Sequence, residues 1–206
     1  MMTKKEIVRR NYNFEIRAEQ DEQQGAVIIG RPIVYDSATD LGEFWETIDR
    51  GALDNANLAD VRFLVNHNTS MIPLARSSKN NVDSTMKFEI DSYGMVIRVN
   101  LDTENNAEAK ALYSAIQRGD ITGMSFMFYV SDEEWKDLNT EKPTRHIREI
   151  GAVFEVSAVT FPAYETTEIQ ARDRKSLEKA RQACPSQQLE LEKEKFKALF
   201  GGTYNE

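Results

Sequence analysis

The sequence predicts a mainly β fold with some helix (α+β), in which a mostly antiparallel sheet closes, or nearly closes, into a barrel around one embedded helix. Three observations lead to this fold class. Up to about residue 171, apolar residues alternate with period two or form short apolar runs, as they do in strands. Residues 91–94 (Asp-Ser-Tyr-Gly) separate two such runs as a hairpin loop would. Residues 107–118 repeat instead with the period of a helix.

The strands follow one another through this region. Residues 12–17 alternate as a half-buried strand does, and residues 26–35 form a longer strand that Gly30 and Pro32 are expected to bend. Residues 121–130 are apolar on both faces, which predicts a central strand, and a charged loop follows over residues 132–143. The remaining predicted elements are strands at residues 44–48, 61–65, 85–90, 95–101, 145–150 and 153–161, and a short helix near residues 51–53.

The predicted helix over residues 107–118 has recognisable ends. Asn105 suits the N-cap, since Glu108 stands three residues later, and Gly119 suits the position after the last turn. Its apolar stripe at i, i+3, i+4 and i+7 consists of Ala109, Leu112, Tyr113 and Ile116.

The character of the chain changes at residue 172. Residues 172–181 and 190–196 are dense in charge and sparse in apolar side chains, and Pro185 separates them. We therefore divide the chain into a folded domain over residues 1–171 and a charged helical or disordered tail over residues 172–206.

Composition narrows the function. The 206 residues carry a net charge of −8, which argues against wrapping nucleic acid, and no apolar run approaches the roughly 20 residues that span a bilayer. The start of the chain does not resemble a signal peptide, and a single cysteine, Cys184, fits a reducing compartment, so we expect a cytosolic protein. The chain has only two histidines, His67 and His146, which argues against a metal site, and it has no nucleotide-binding fingerprint. Cofactor-free chemistry or simple binding is therefore what we expect.

Three polar residues stand in segments otherwise built for burial: His67 at the end of Phe-Leu-Val-Asn-His, Ser125 in Gly-Met-Ser-Phe and Glu155 in Val-Phe-Glu-Val. Buried polar groups need partners, so we expect these three to meet as nucleophile, base and orienting carboxylate. Ser157 is the alternative orienting residue, and Arg76 is an alternative cation for Glu155 and a helper to main-chain oxyanion donors.

Each residue also has an ordinary interpretation. A lone histidine that ends a strand is more often a core or loop residue, and a serine in an apolar strand is usually a small packing residue. Glu155 would need no partner if it faced solvent on an edge strand. His146, among charged neighbours, fits a solvated strand face. Cys184 lies in the charged tail with no histidine near it in sequence, which argues against a cysteine nucleophile.

These segments resemble those of the prohead proteases of tailed bacteriophages, the HK97-type capsid maturation proteases, over about residues 12–171. Their order and spacing make the resemblance specific. The segments are residues 31–35 (Arg-Pro-Ile-Val-Tyr), 50–53 (Arg-Gly-Ala-Leu), 64–68 (Leu-Val-Asn-His-Asn), 73–76 (Pro-Leu-Ala-Arg), 123–126 (Gly-Met-Ser-Phe) and 155–164 (Glu-Val-Ser-Ala-Val-Thr-Phe-Pro-Ala-Tyr).

The resemblance implies a fold similar to that of herpesvirus assemblin, an antiparallel β-barrel with peripheral helices, and a serine–histidine pair without metal or cofactor. Ser125 would be the nucleophile, His67 the base, and Glu155 the acidic residue that replaces the second histidine of assemblin. Ala75 stands where the family often has glycine, which bears on any main-chain role at that position.

The implied task is to cleave the scaffolding segment from the phage major capsid protein inside the immature capsid, in the host cytoplasm, and then to cleave the protease itself. The charged tail would be an incorporation segment that self-cleavage removes. A homodimer is left open, and neither nucleic acid nor a membrane is expected as a direct partner. Two rival functions remain: a non-catalytic capsid assembly or scaffolding factor, and an esterase or other acyl hydrolase that uses the same residues.

Overall fold

The named elements in the described part of the chain are eleven strands and two helices. The computed structural model describes residues 7–12, 16–78, 84–160 and 167–184, together with residues 193 and 195. The elements are β1 Ile7–Tyr12, β2 Ile16–Asp21, β3 Gly25–Val34, β4 Thr39–Asp40, β5 Trp45–Ile48, β6 Asp60–Val65, β7 Ala75–Ser78, β8 Met86–Asp91, β9 Gly94–Leu101, α1 Ala107–Arg118, β10 Gly123–Lys136, β11 Thr144–Val159 and α2 Thr167–Ala183.

The strands form two sheets. The first contains seven strands in the order β1-β10-β11-β5-β4, with β6 paired to β11 and β7 paired to β6. The second contains four strands in the order β2-β3-β9-β8 and is antiparallel throughout. Among the described strands no ladder joins the two ends of either sheet, so the predicted closed or nearly closed barrel is not confirmed.

Strand β11 pairs with three other strands of the first sheet. One of its edges pairs antiparallel with β10 along almost the whole strand. Its other edge pairs in parallel with β5 at residues 144–147 and with β6 at residues 155–158. The first sheet is therefore mixed, and the prediction of a mostly antiparallel sheet missed both parallel ladders, because parallel pairing joins strands that are distant in sequence.

One apolar core lies between the sheets and α1. It draws buried side chains from both sheets, such as Ile28, Ile97, Phe63 and Phe126, and from α1 through Leu112. The rings of Phe126 and Phe128 stack at 4.7 Å between centroids, and β10 is buried on both faces between β1 and β11. The predicted central strand is thereby confirmed, although it runs on to Lys136 into the segment expected to be a charged loop.

The helix α1 has the predicted bounds but a different first cap. Asn106, rather than Asn105, is extended at φ −116°, and its side chain accepts the amides of Glu108 and Ala109. Gly119 ends the helix at φ +77°, as predicted, and its N–H meets the carbonyls of the last turn.

Three other local predictions are wrong. The strand expected over residues 12–17 is split between β1 and β2, which belong to different sheets, and residues 13–15 lie outside the described residues. The short helix expected near residues 51–53 is a series of turns. The two strands expected over residues 145–150 and 153–161 are one strand, β11, interrupted by irregular register with β10.

The helix α2 packs against a second, smaller apolar cluster. Leu177 is buried and contacts Phe44 and Leu138, and Asp173 is buried as well. A charged tail lying outside the core is therefore not confirmed for residues 173–184, and most of residues 185–206 lie outside the described residues. The domain boundary after residue 171 stays a prediction. No helix in the described part of the chain is both long and apolar enough to cross a membrane.

Candidate active site

The pairing of β10 with β11 places two serines opposite each other. Ser125 of β10 is the register partner of Ser157 of β11, and both side chains are fully buried. Glu155 lies two residues before Ser157, on the same face of β11, because side chains alternate along a strand. The sequence left a buried and a solvent-facing Glu155 open, and the structure has it buried, with its side chain only 3% exposed.

His67 reaches β11 through the turn that follows β6. The parallel ladder ends with Val65 opposite Ala158, and the next two residues, Asn66 and His67, adopt left-handed φ angles of 49° and 57°. Few residues other than glycine adopt this conformation, and asparagine and histidine are among the more frequent. The Asn66 side chain fixes the turn through two hydrogen bonds with Thr160, at 3.1 and 2.9 Å.

The turn brings the imidazole of His67 onto the carboxylate of Glu155. Nδ1 of His67 contacts Oε1 of Glu155, and the His67 side chain is 11% exposed. A carboxylate at Nδ1 favours the tautomer that carries its proton there, which leaves Nε2 as an acceptor. Nε2 of His67 is buried and has no hydrogen-bond partner among the described residues, so this nitrogen is available to take a proton.

Ser157 completes this arrangement. Its Oγ accepts the main-chain N–H of His67 at 3.2 Å and donates to Oε2 of Glu155 at 2.7 Å. The sequence offered Ser157 as an alternative to Glu155, whereas the structure brings both residues to His67.

Ser125 makes a different hydrogen bond. Its Oγ donates to the main-chain carbonyl of Arg10 in β1 at 2.8 Å, and among the described residues it makes no hydrogen bond with His67. The predicted contact between Ser125 and His67 is thus not formed in this state. Strand β1 lies along β10 with Asn11 opposite Ser125, so β1 covers this part of the edge of β10.

Among the described residues, Arg76 makes no hydrogen bond or ion pair with this group. It lies on β7 with its side chain about half exposed, and its Nε donates to Oδ1 of Asp60 at 2.7 Å. The hydrogen bond to Asp60 raises the pKa of Arg76 above its usual value. Glu155 is therefore partnered by His67 and Ser157 rather than by Arg76.

Arg10 also belongs to a group of buried charges. Its Nη2 donates to Oε2 of Glu46 at 2.7 Å and to Oδ1 of Asp173 in α2 at 3.0 Å, and Arg145 donates to the same Glu46 oxygen at 3.2 Å. Burial by itself would raise the pKa of Glu46, but the two guanidinium groups outweigh it and hold that pKa below its usual value. Burial raises the pKa of Asp173, which Arg10 offsets only in part.

This group of buried charges was not predicted from the sequence. One signal was present, since period-two alternation puts Glu46 on the same strand face as Phe44 and Ile48, and all three are buried. His146, expected on a solvated face, is half-buried, and its Nδ1 lies 2.8 Å from Oδ1 of Asp49.

The chain matches one protein family and is similar to two bacteriophage proteins. A model of the caudovirus prohead serine proteases matches residues 12–182. The prohead protease of Enterobacteria phage HK97 is 30% identical over 160 residues, which make up 76% of this chain, and the chain spans 64% of that relative's length. The solved structure of the bacteriophage T4 capsid assembly protease, gp21, is similar with a TM-score of 0.46 and 13% identity, over 76% of this chain and 99% of that one.

Proposed function

This chain belongs to the family of caudovirus prohead serine proteases, and from that premise we propose that it is a serine endopeptidase in which Ser125, His67 and Glu155 carry the chemistry. The observation that supports this most is the buried carboxylate of Glu155 on Nδ1 of His67, with Nε2 of the same ring buried and unpartnered among the described residues. A carboxylate, an imidazole and a serine hydroxyl are the three groups with which a Ser-His-acid protease hydrolyses a peptide bond without a cofactor.

The proposed reaction follows from these roles. Nε2 of His67 takes the proton of the Ser125 hydroxyl while Oγ attacks the carbonyl carbon of the peptide bond, and Glu155 stabilises the imidazolium that forms. His67 then gives the proton to the leaving amine, and a water molecule hydrolyses the acyl-enzyme by the same route. Main-chain amides are the proposed donors to the oxyanion, with Arg76 as a proposed helper.

The reaction requires the side chain of Ser125 to rearrange. The Ser125 hydroxyl donates to the Arg10 carbonyl, so it must turn toward Nε2 of His67 before it can attack. Catalytic hydrogen bonds often form only when substrate is bound, so this arrangement is compatible with the proposal.

The proposed substrate is the scaffolding segment of the phage major capsid protein. The relative from phage HK97 is named as a prohead protease, and this name supports the proposal. We propose that this chain acts within the immature capsid in the host cytoplasm, with self-cleavage in the charged segment after residue 171 and with a homodimer as one state of the enzyme.

Co-expression with the cognate major capsid protein tests this proposal. Wild type, Ser125→Ala and a control, Ser131→Ala, are compared by intact-protein mass spectrometry. Ser131 lies on the same strand, and its exposed hydroxyl donates to the Glu149 carbonyl at 3.2 Å. We expect cleavage by wild type and Ser131→Ala, and a loss of at least about a thousandfold with Ser125→Ala. Equal cleavage by all three would remove Ser125 as the nucleophile.

A second candidate function is a non-catalytic capsid assembly factor. The bond between Ser125 and the Arg10 carbonyl favours it, because a fully buried serine that donates to its own chain can be purely structural. In that case wild type and Ser125→Ala would both increase capsid assembly relative to capsid protein expressed alone, and the capsid protein would remain uncleaved.

A further inference from the structure

We propose that Ser157 is a positioning residue, one that sets the geometry of His67 and Glu155 without touching the substrate; this inference rests on the proposed function. One hydroxyl of Ser157 connects both partners. It accepts the main-chain N–H of His67 and donates to Oε2 of Glu155, while Oε1 of Glu155 contacts Nδ1 of His67. The three contacts form a closed ring of interactions.

The ring fixes the orientation of the carboxylate. A carboxylate has two oxygens, and Oε1 can face Nδ1 of His67 squarely only if Oε2 has a partner of its own. Ser157 supplies that partner from β11 itself, two residues further along the strand. Without the hydroxyl, Oε2 would be a buried acceptor with no donor, and the carboxylate would rotate to seek one.

The same hydroxyl supports the turn that carries His67. Asn66 and His67 are consecutive residues in the left-handed region, which the surrounding structure must stabilise. The amide of Asn66 meets the carbonyl of Ala158, and the amide of His67 meets Oγ of Ser157. Ser157 therefore anchors the main chain of the proposed base as well as the carboxylate behind it.

Two isosteric substitutions separate the hydroxyl from its volume. Ser157→Thr keeps the hydroxyl and Ser157→Val replaces it with a methyl group, and both add a similar bulk at a buried position. The purified full chain is assayed on a peptide that spans the capsid-protein cleavage site, with Ser131→Ala as the control. We expect Ser157→Val to lower kcat by about a hundredfold relative to Ser157→Thr, with KM changed less than about threefold, since misplaced groups slow the chemical step rather than binding.

Equal kcat values for the threonine and valine variants would overturn this inference, and so would mass spectrometry that finds a fluorophosphonate probe on Ser157. The proposed function fails separately, since it is lost if Ser125→Ala cleaves the same peptide. If Ser125→Ala is inactive while the two Ser157 variants are alike, only the role of Ser157 is lost.

A different contact carries a second inference: we infer that strand β1 is an autoinhibitory strand for the proposed nucleophile. The carbonyl of Arg10 accepts the proton of Ser125 Oγ at 2.8 Å, and Ser125 is fully buried. A substrate carbonyl cannot reach Oγ while β1 stays in place. This inference also rests on the proposed function, because it matters only if Ser125 reacts.

The side chain of Arg10 attaches β1 to β5 and α2 through buried ion pairs. Its guanidinium binds Glu46 of β5 and Asp173 of α2, and the side chain of Arg10 is only 2% exposed. Six register pairs between β1 and β10, from Ile7 with Tyr129 to Tyr12 with Met124, complete the attachment. The contact with Asp173 ties β1 to α2, so a displacement of α2 would weaken the hold on β1.

A reversible cross-link tests this second inference. Ile7→Cys with Tyr129→Cys, in a Cys184→Ser background, places a cysteine at each member of the first register pair of β1, in which Ile7 is exposed. A control cross-link, Glu89→Cys with Val96→Cys, joins a register pair of the second sheet. The readout is the rate at which a fluorophosphonate probe labels Ser125, followed by mass spectrometry in the oxidised and the reduced protein.

We expect oxidation of the β1–β10 pair to slow labelling of Ser125 by at least about tenfold, and oxidation of the control pair to leave it unchanged. Equal rates in the oxidised and reduced β1–β10 protein, whether both fast or both absent, would overturn the inference. Cleavage of capsid protein by Ser125→Ala would instead overturn the proposed function, whatever the labelling shows.

Discussion

Asp173 and Arg10 are 163 residues apart in the sequence, yet their side chains form a buried ion pair at 3.0 Å. Arg10 also binds Glu46, so the pair joins the first strand, the fifth strand and the second helix. Removing one member of a buried ion pair leaves a charge without compensation, which is strongly destabilising. The region around Ser125 is therefore held by electrostatics as well as by apolar packing.

Glu46 should make stability depend on pH. Arg10 and Arg145 outweigh the effect of burial and hold the pKa of Glu46 below its ordinary value of 4.5. A lowered pKa gives stability that is present above pH 4.5 and is lost as the pH falls through the lower folded value. We expect Glu46→Gln to flatten the acid limb of a urea-unfolding series and to cost about 3–5 kcal/mol at neutral pH.

The control for that series is Glu89→Gln, an exposed residue of β8. Acid limbs of equal slope in wild type and Glu46→Gln would contradict the prediction. Asp173 acts with the opposite sign: its pKa is raised, so its contribution is present below its ordinary value of 3.8 and is lost as the pH rises.

Glu155→Gln should reduce catalysis with little effect on folding. The amide keeps the shape of the carboxylate but cannot stabilise an imidazolium, and its NH₂ can be presented to Nδ1 in place of an acceptor. We expect kcat to fall by about 10²–10⁴-fold, with Glu89→Gln unchanged. Steady-state kinetics and a melting curve measure the two effects, and a full-activity Glu155→Gln enzyme would show that the carboxylate is only structural.

Gly94→Ala should be far more damaging than Gly25→Ala. A Cβ at Gly94 would lie 2.0 Å from the carbonyl oxygen of Ile33, and φ there is +143°. A Cβ at Gly25 would meet nothing within 4 Å, and only its φ of +77° opposes a side chain. By denaturant unfolding we expect a loss of about 1 kcal/mol at Gly25 and at least about 3 kcal/mol at Gly94. Similar losses at the two positions would refute the close approach of β3 to Gly94.

The first cap of α1 offers a test that separates neighbouring asparagines. Asn106 accepts the amides of Glu108 and Ala109 at 3.0 and 3.2 Å, whereas Asn105 bonds Asp102 on the exposed side. We expect Asn106→Ala to lower the free energy of unfolding by about 0.5–2 kcal/mol and Asn105→Ala by less than about 0.5 kcal/mol. The reverse order in urea unfolding would favour the cap that the sequence predicted.

Local patterns predicted the parts of the site that local physics decides. Glu155 and His67 are polar residues in apolar runs, and the need to pair buried polar groups brought them together correctly. The limits of α1 were also predicted locally, from the helical spacing of its apolar stripe and from Gly119 at its end. The resemblance to the prohead proteases is confirmed by the family match over residues 12–182.

Long-range pairing could not be predicted in this way. The two parallel ladders of β11 pair it with segments nearly a hundred residues earlier. The alternation of apolar and polar residues within a strand does not indicate which strand pairs with it. The contact of Ser125 with the Arg10 carbonyl was missed for the same reason, because it requires β1 to lie on β10. The left-handed turn at Asn66 and His67 was not foreseen either, since neither residue demands that conformation.

β1 and β10 are neighbours in the sheet but lie far apart in the sequence, so they are synthesised at different times. A ribosome completes Arg10 long before it reaches Ser125, which lies 115 residues later. The covering strand is therefore already present when the serine emerges, and the serine emerges before Glu155 and Ser157 have been added. In a nascent chain, the cover for Ser125 is synthesised before the residues proposed to activate it, so the order of synthesis itself would protect neighbouring proteins from premature cleavage.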